Sequence, residues 1–128
     1  METAAAIVRA EGVEGLTMRR LGEELGVSAM AAYRHVSDKD ELLRLVADHV
    51  VSSVKPATPD DADPVEILRS FSLALRRSLR PYRGLARYLL GKWPAVPSLV
   101  SLMDDAAERL ATSTSVQIPW SWHPDRRR

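Results

Sequence analysis

Apolar residues recur every three or four positions along most of the chain, the spacing of helices that each bury one face. In the first such stretch, from about Thr3 to Glu11, the buried stripe is Ala4, Ala5, Ile7 and Val8. Gly12 and Gly15 bracket a connection that delivers Leu16 to the core and Thr17 to a capping position. The helix after Thr17 carries Leu21 and Leu25 one turn apart as its buried edge. Gly26 ends it, because the residue past a helix end takes positive φ, and Val27 is expected to plug the turn from beneath. Ser28 caps a second short helix, on which Ala32 and Val36 face inward while Ala29, Met30, Tyr33 and Arg34 share a broad outward face. Two short helices joined by a glycine turn predict a helix-turn-helix whose outward face enters a DNA major groove.

Ser37 and Asp38, with Asp40 and Glu41, form a capping box for a long amphipathic helix with the stripe Leu42, Leu43, Val46, Val50 and Val54. From Ser52 to Asp63 the chain is rich in Pro, Asp and Ser and reads as an interdomain loop. Asp63-Pro64-Val65-Glu66 then starts a helix to about Leu79, with the stripe Val65, Leu68, Phe71 or Ser72, Leu75 and Leu79. Further helices are predicted from Tyr82 to Leu90, closed by Gly91, and from Pro97 to about Ala111 with Val100, Met103, Ala107 and Leu110 inward. No strand alternation and no fixed-period repeat appears. The fold class is all-α: a three-helix helix-turn-helix module and connecting helix over residues 1–53, a linker over 54–63, a partial helical domain over 64–112, and an irregular tail over 113–128. That tail, with Trp120, Trp122 and three terminal arginines between and after prolines, reads as a loose chain end in preference to a DNA-touching or partner-binding peptide.

The segment GVSAMAAYRHVSDKDELL resembles the recognition helix and following helix of TetR-family transcriptional regulators. The match is carried by Ala32, Tyr33, Arg34, His35 and Val36, then Lys39 at the next helix start. Ala32 and Val36 are smaller than the residues usual there, so the inner face is expected to be underfilled, at about 2–5 kcal/mol unless neighbours collapse into it. The resemblance implies sequence-specific control of transcription, as repression relieved by a small-molecule effector, with a double-stranded DNA operator as partner. Family members continue through two more long helices that make the dimer interface. Nothing in this sequence plays that part, so the homodimer expected of the family is expected here as a monomer or loose dimer associating through Leu99, Val100, Met103 and Leu110.

Each candidate DNA contact has a plain alternative. Thr17 and Ser28 serve the helix-turn-helix as caps, and Arg19 lies on or beside its groove-facing surface. Tyr33 either meets a phosphate or sugar or covers the small core, and the first is preferred because its hydroxyl needs a polar outlet. Arg34 either reads guanine through its fork or pairs with a neighbouring acid. Ala29 and Met30 offer no hydrogen-bonding fork, so reading there is apolar, as of thymine methyl groups. His35 is placed toward the inner side as a packed histidine touching the phosphate chain, in preference to a metal ligand or pH switch. Lys39, at a helix start, can meet a phosphate together with nearby amides. By the same resemblance the helices after the linker enclose an effector pocket, lined by Phe71, Leu75, Tyr82, Tyr88, Leu89, Trp93 and Met103, residues equally expected as plain core.

Composition sharpens this in a few places. The 128 residues, 45% of them hydrophobic, can build a core. No apolar stretch reaches the roughly 18–20 residues that span a bilayer, and the N-terminus lacks a signal peptide's pattern, so a cytoplasmic location is expected. The absence of cysteine removes disulfides and thiolate chemistry. His35, His49 and His123 lack metal-ligand spacing, and no nucleophile-and-base pattern or phosphate-binding glycine loop occurs, so no enzyme, metal or cofactor is expected. Residues 1–55 carry seven Lys or Arg against nine Asp or Glu, so local placement of Arg19, Arg34 and Lys39 has to carry the DNA argument. The run Arg76, Arg77, Arg80, Arg83, Arg87 and Lys92, with no acid between Ile67 and Met103, reads as a solvated helix face before it reads as a binding surface. A function of another class also fits: a helical interaction protein that pairs with a full-length relative without binding DNA itself.

Overall fold

The computed structural model describes residues 1–92 and 96–113. Among these the chain forms seven α-helices and no strand: α1 (Glu2–Glu11), α2 (Met18–Leu25), α3 (Ala29–Ala32), α4 (Lys39–Ser52), α5 (Pro64–Leu79), α6 (Leu85–Gly91) and α7 (Pro97–Ser113). A 3-10 turn at Val13–Gly15 joins α1 to α2. Ser113 closes α7, and the rest of the expected tail lies outside the described residues, as does Trp93.

Four helices begin on a side chain that accepts a backbone N–H of the first turn. Thr17 Oγ1 accepts from Arg20 at 3.0 Å, Ser28 Oγ from Ala31 at 3.2 Å, Asp38 Oδ1 from Glu41 at 2.8 Å and Asp63 Oδ1 from Glu66 at 2.9 Å. Such caps typically contribute about 1 kcal/mol each. At α4 the box is reciprocal: Glu41 Oε2 accepts from the hydroxyl of Ser37 at 2.6 Å and from its backbone N–H at 2.7 Å. Those two bonds, the hydroxyl first, hold the Glu41 carboxyl below the usual glutamate range.

The core gathers on α4. Leu42 and Leu43, Val46 and Ala47, Val50 and Val51 are buried as adjacent pairs, so this helix is covered on two flanks. α1 packs on it with Ala4, Ala5, Ile7 and Val8, the stripe the spacing predicts, while α5 and α7 pack on it and on each other. Leu16, fully buried, arrives from the connection as expected.

Three registers differ from the sequence pattern. Leu25 and Val27 are half exposed, because the inner face of α2 is Met18, Leu21 and Gly22. A Cβ at Gly22 would stand 2.8 Å from the Val27 carbonyl oxygen, and the Val27 N–H bonds to the Gly22 carbonyl at 2.9 Å. Backbone therefore fills the space a side-chain plug would occupy. In α5 the core face is Ile67, Phe71 and Leu79, while Val65 and Leu68 are exposed at 74% and 52%. In α7 the buried residues are Leu99, Leu102 and Ala106, one position ahead of the predicted Val100, Met103 and Ala107. Both helices carry aliphatic residues on more than one face, and contact with α4 selects the face that is buried. α6 begins at Leu85 rather than Tyr82, because Gly84, at φ 88°, turns the chain first. No helix among the described residues is long and apolar enough to cross a membrane.

Two expectations follow from these contacts. An alanine Cβ at Gly84 would meet Val13 Cγ2 at 2.6 Å in a backbone conformation that disfavours side chains, and one at Gly22 would meet backbone. Gly84→Ala and Gly22→Ala should each lower stability by about 1–3 kcal/mol, whereas Gly91→Ala, which meets nothing within 4 Å, should be neutral or slightly stabilising, all read by urea denaturation. Because its folded pKa is depressed, Glu41 contributes stability that is complete above about 4.5, its ordinary value, and lost as pH falls through the lowered one. Thermal melts between pH 7 and pH 3 should therefore show a shallower acid loss in Glu41→Gln than in the parent chain.

Candidate nucleic-acid interface

The recognition element starts as α-helix on the Ser28 cap and then narrows. Tyr33 N–H donates to the Ala29 carbonyl at 3.1 Å, but Arg34 and His35 donate three residues back, to Ala31 at 3.3 Å and Ala32 at 3.1 Å. Buried Ala32 and Val36 anchor the two ends of this turn, as the spacing predicts. Outward stand Met30 at 76% exposure, Tyr33 at 49%, and exposed Arg34, with Ala29 half-buried beside them. Arg34 has no ion-pair partner among the described residues, so the neighbouring-acid alternative is not realised. His35 is exposed too, against the expected inner placement: Ala32 and Val36 take the inward positions, and the tight turn leaves the ring in solvent.

The cations around this face are held very differently. Arg19, with its side chain 87% exposed, pairs among the described residues only with Glu23, at 3.2 Å and one turn along α2. Arg20, which the sequence pattern did not single out, bonds Glu11 through Nε and Nη2, both at 2.9 Å, and Glu24 through Nη1 at 2.6 Å. The Glu11 and Glu24 carboxylates raise its pKa and fix it as a clamp between α1 and α2. The one-turn spacing of Arg20 to Glu24 was a legible signal for this; the Glu11 contact was not. Lys39 opens α4 and lines a cleft of ≈ 580 Å³ shared with Glu11, Glu14, Arg83, Arg87 and Tyr88. The hydroxyls of Thr17 and Ser28 are occupied as caps.

A second concavity, a groove of ≈ 930 Å³, opens between α5, α6 and α7. It brings together Leu75, Tyr82, Leu89 and Met103 from the expected effector set and adds Leu79, Leu90 and Leu99. Phe71 is buried and borders a different cleft, with Pro56 and Arg109. Tyr88 faces the other way and donates its hydroxyl to the Asp40 carbonyl at 2.9 Å; burial, then the Asp40 charge, raises its pKa.

Several bonds tie this half to the helix-turn-helix. Val13 N–H donates to the Arg83 carbonyl at 3.0 Å and Arg83 Nη2 donates to the Glu11 carbonyl at 3.1 Å. Lys92 pairs with Asp40 at 3.0 Å, and the Ser98 N–H donates to Asp48 Oδ1 at 2.8 Å.

Residues 1–46 match the family described as "Bacterial regulatory proteins, tetR family". Over 101 residues the chain is 38% identical to the tetracycline repressor protein class C of Escherichia coli, a match covering 77% of this chain and 46% of that protein. The chain thus spans about half the length of the curated relatives it matches. Among solved structures it is similar to ActR of Streptomyces coelicolor in complex with (S)-DNPA, at 34% identity and TM-score 0.75 over 87% of this chain and 55% of the other. It is also similar to BioQ bound to its double-stranded DNA operator, at 33% identity and TM-score 0.65 over 88% and 64%. The capped helix-turn-helix, its exposed recognition face and these likenesses together show that the chain belongs to the tetR family of bacterial regulatory proteins.

Proposed function

We propose that the chain is a sequence-specific DNA-binding transcriptional repressor, relieved by a small molecule and acting in the cytoplasm by binding rather than catalysis. Residues 1–53 are its DNA-binding part, 54–63 a linker and 64–112 its effector part. The observation that carries this is the outward face of the recognition turn: Met30, Tyr33 and an Arg34 without an ion-pair partner among the described residues, on a helix-turn-helix capped at both helices. Such a face suits a major groove, where a guanidinium fork reads guanine and an apolar side chain contacts a thymine methyl. The operator complex of BioQ and the ligand complex of ActR support the two halves of the reading by likeness. Tyr33 and Lys39 are assigned to phosphates, and the groove between α5, α6 and α7 to the effector, with Leu75, Tyr82, Leu89 and Met103 in its wall.

The direct test is an electrophoretic shift of the 128-residue chain on the DNA upstream of its own coding sequence, repeated across salt. Binding should weaken steeply with salt as counterions are released, and no shift at low salt would overturn the reading. On a randomised operator library, Arg34→Ala should relax preference at one base pair by about 1–3 kcal/mol, while Tyr33→Phe should weaken all sites alike. Lys39→Ala should reduce the logarithmic salt slope by about one unit and leave sequence preference unchanged.

A further inference from the structure

The groove between α5, α6 and α7 has apolar walls and a cationic fringe. Arg76, Arg80 and Arg83 line it along with the leucines, and among the described residues no Asp or Glu does. Arg76 and Arg80 are exposed, one turn apart at the end of α5, and neither has a carboxylate partner among the described residues. Arg83 gives one N–H to the Glu11 carbonyl and keeps further donors of its fork. The electrostatics of a helix C-terminus favour cations at Arg76 and Arg80. They do not account for Arg83, nor for the lack of any acid between Ile67 and Met103, a stretch that supplies nearly all of the groove. On an ordinary solvated face such charges are interleaved with acids. Here Arg76 and Arg80 border one apolar surface with no carboxylate paired to either among the described residues, while Arg83 also lines the neighbouring cleft that holds Glu11 and Glu14.

We propose that the groove takes an apolar organic anion: a ring or alkyl body against Leu75, Leu79, Leu89 and Met103, and a carboxylate or similar acidic group on the guanidinium groups. This rests on the reading of the groove as the effector site and names the chemical class of the effector. Other occupants fit less well. A second copy packed groove to groove would set arginine against arginine. A charge held beside an apolar, partly dehydrated wall is screened less than one in open solvent, so the anionic group should add measurably to affinity.

The experiment compares two fluorescent probes on the full 128-residue chain: 8-anilinonaphthalene-1-sulfonate and uncharged N-phenyl-1-naphthylamine, which has the same rings without the sulfonate. The sulfonate is expected to bind about tenfold more tightly at low salt, as charge-assisted contacts to a guanidinium would give. Replacing Arg76 and Arg80 together by Gln, both at exposed positions, should bring the ratio close to one while binding of the neutral probe stays unchanged. Leu90→Asp, which puts an acid on the groove at a site 86% exposed, should weaken the sulfonate alone. Equal affinity for the two probes, or a preference that survives the double replacement, would overturn the anionic class and leave the groove as a site for neutral ligands. Binding of neither probe would overturn the reading of the groove as an effector site.

Discussion

Val46 and Ala47 are neighbours on α4, about 100° apart around its axis, and neither has any exposed surface. Adjacent residues can both be dry only if the helix is covered from two directions, and the same holds one turn earlier at Leu42 and Leu43 and one turn later at Val50 and Val51. α1 covers one flank and α5 with α7 the other, so a single helix runs through the middle of one continuous core. Burial of each aliphatic side chain contributes roughly 1.5–3 kcal/mol, far more than any cap. The recognition turn feeds directly into this helix through buried Val36 and the Asp38 cap. Where Tyr33 and Arg34 stand is thereby set by packing well behind them.

What could be read from the sequence was whatever chain neighbours decide. The caps at Thr17, Ser28, Asp38 and Asp63, the glycine turn at Gly26 and the stripe of α1 depend on residues three or four apart, and all are found where the pattern puts them. The faces of α5 and α7 were not legible, since both carry more aliphatic positions than one stripe needs. Val65 and Leu68 satisfy the spacing as well as Ile67 and Phe71 do, and only a partner helix chooses between them. The groove was legible in part for the same reason: four of the seven residues expected to line it meet there. Leu75, Tyr82, Leu89 and Met103 converge, whereas Tyr88 is drawn away by Asp40, 48 positions earlier in the chain.

The slightly acidic balance of the helix-turn-helix is less of an obstacle to DNA than its count of charges suggests. Arg20 pairs with both Glu11 and Glu24 at close range, offsetting one of their two charges, and that arginine is committed to the clamp. Arg19 is committed to little: an exposed pair such as the one with Glu23 contributes about 0–1 kcal/mol, so a phosphate can displace the carboxylate at small cost. The module thus holds one guanidinium rigidly for its own architecture and leaves others on the surface for exchange.

Arg83 and Glu11 stand 72 positions apart, yet the Val13 N–H beside Glu11 is bonded to the Arg83 carbonyl, and Gly84 rests on the Val13 side chain. Nothing in the local turn replaces that acceptor, since the turn's own backbone bond runs from Gly15 to Gly12. The amide hydrogen of Val13 is shielded only while the two halves stay closed on each other. Its deuterium exchange is consequently a clock for their separation, one proton that reports how often the groove-bearing half lets go of the helix-turn-helix.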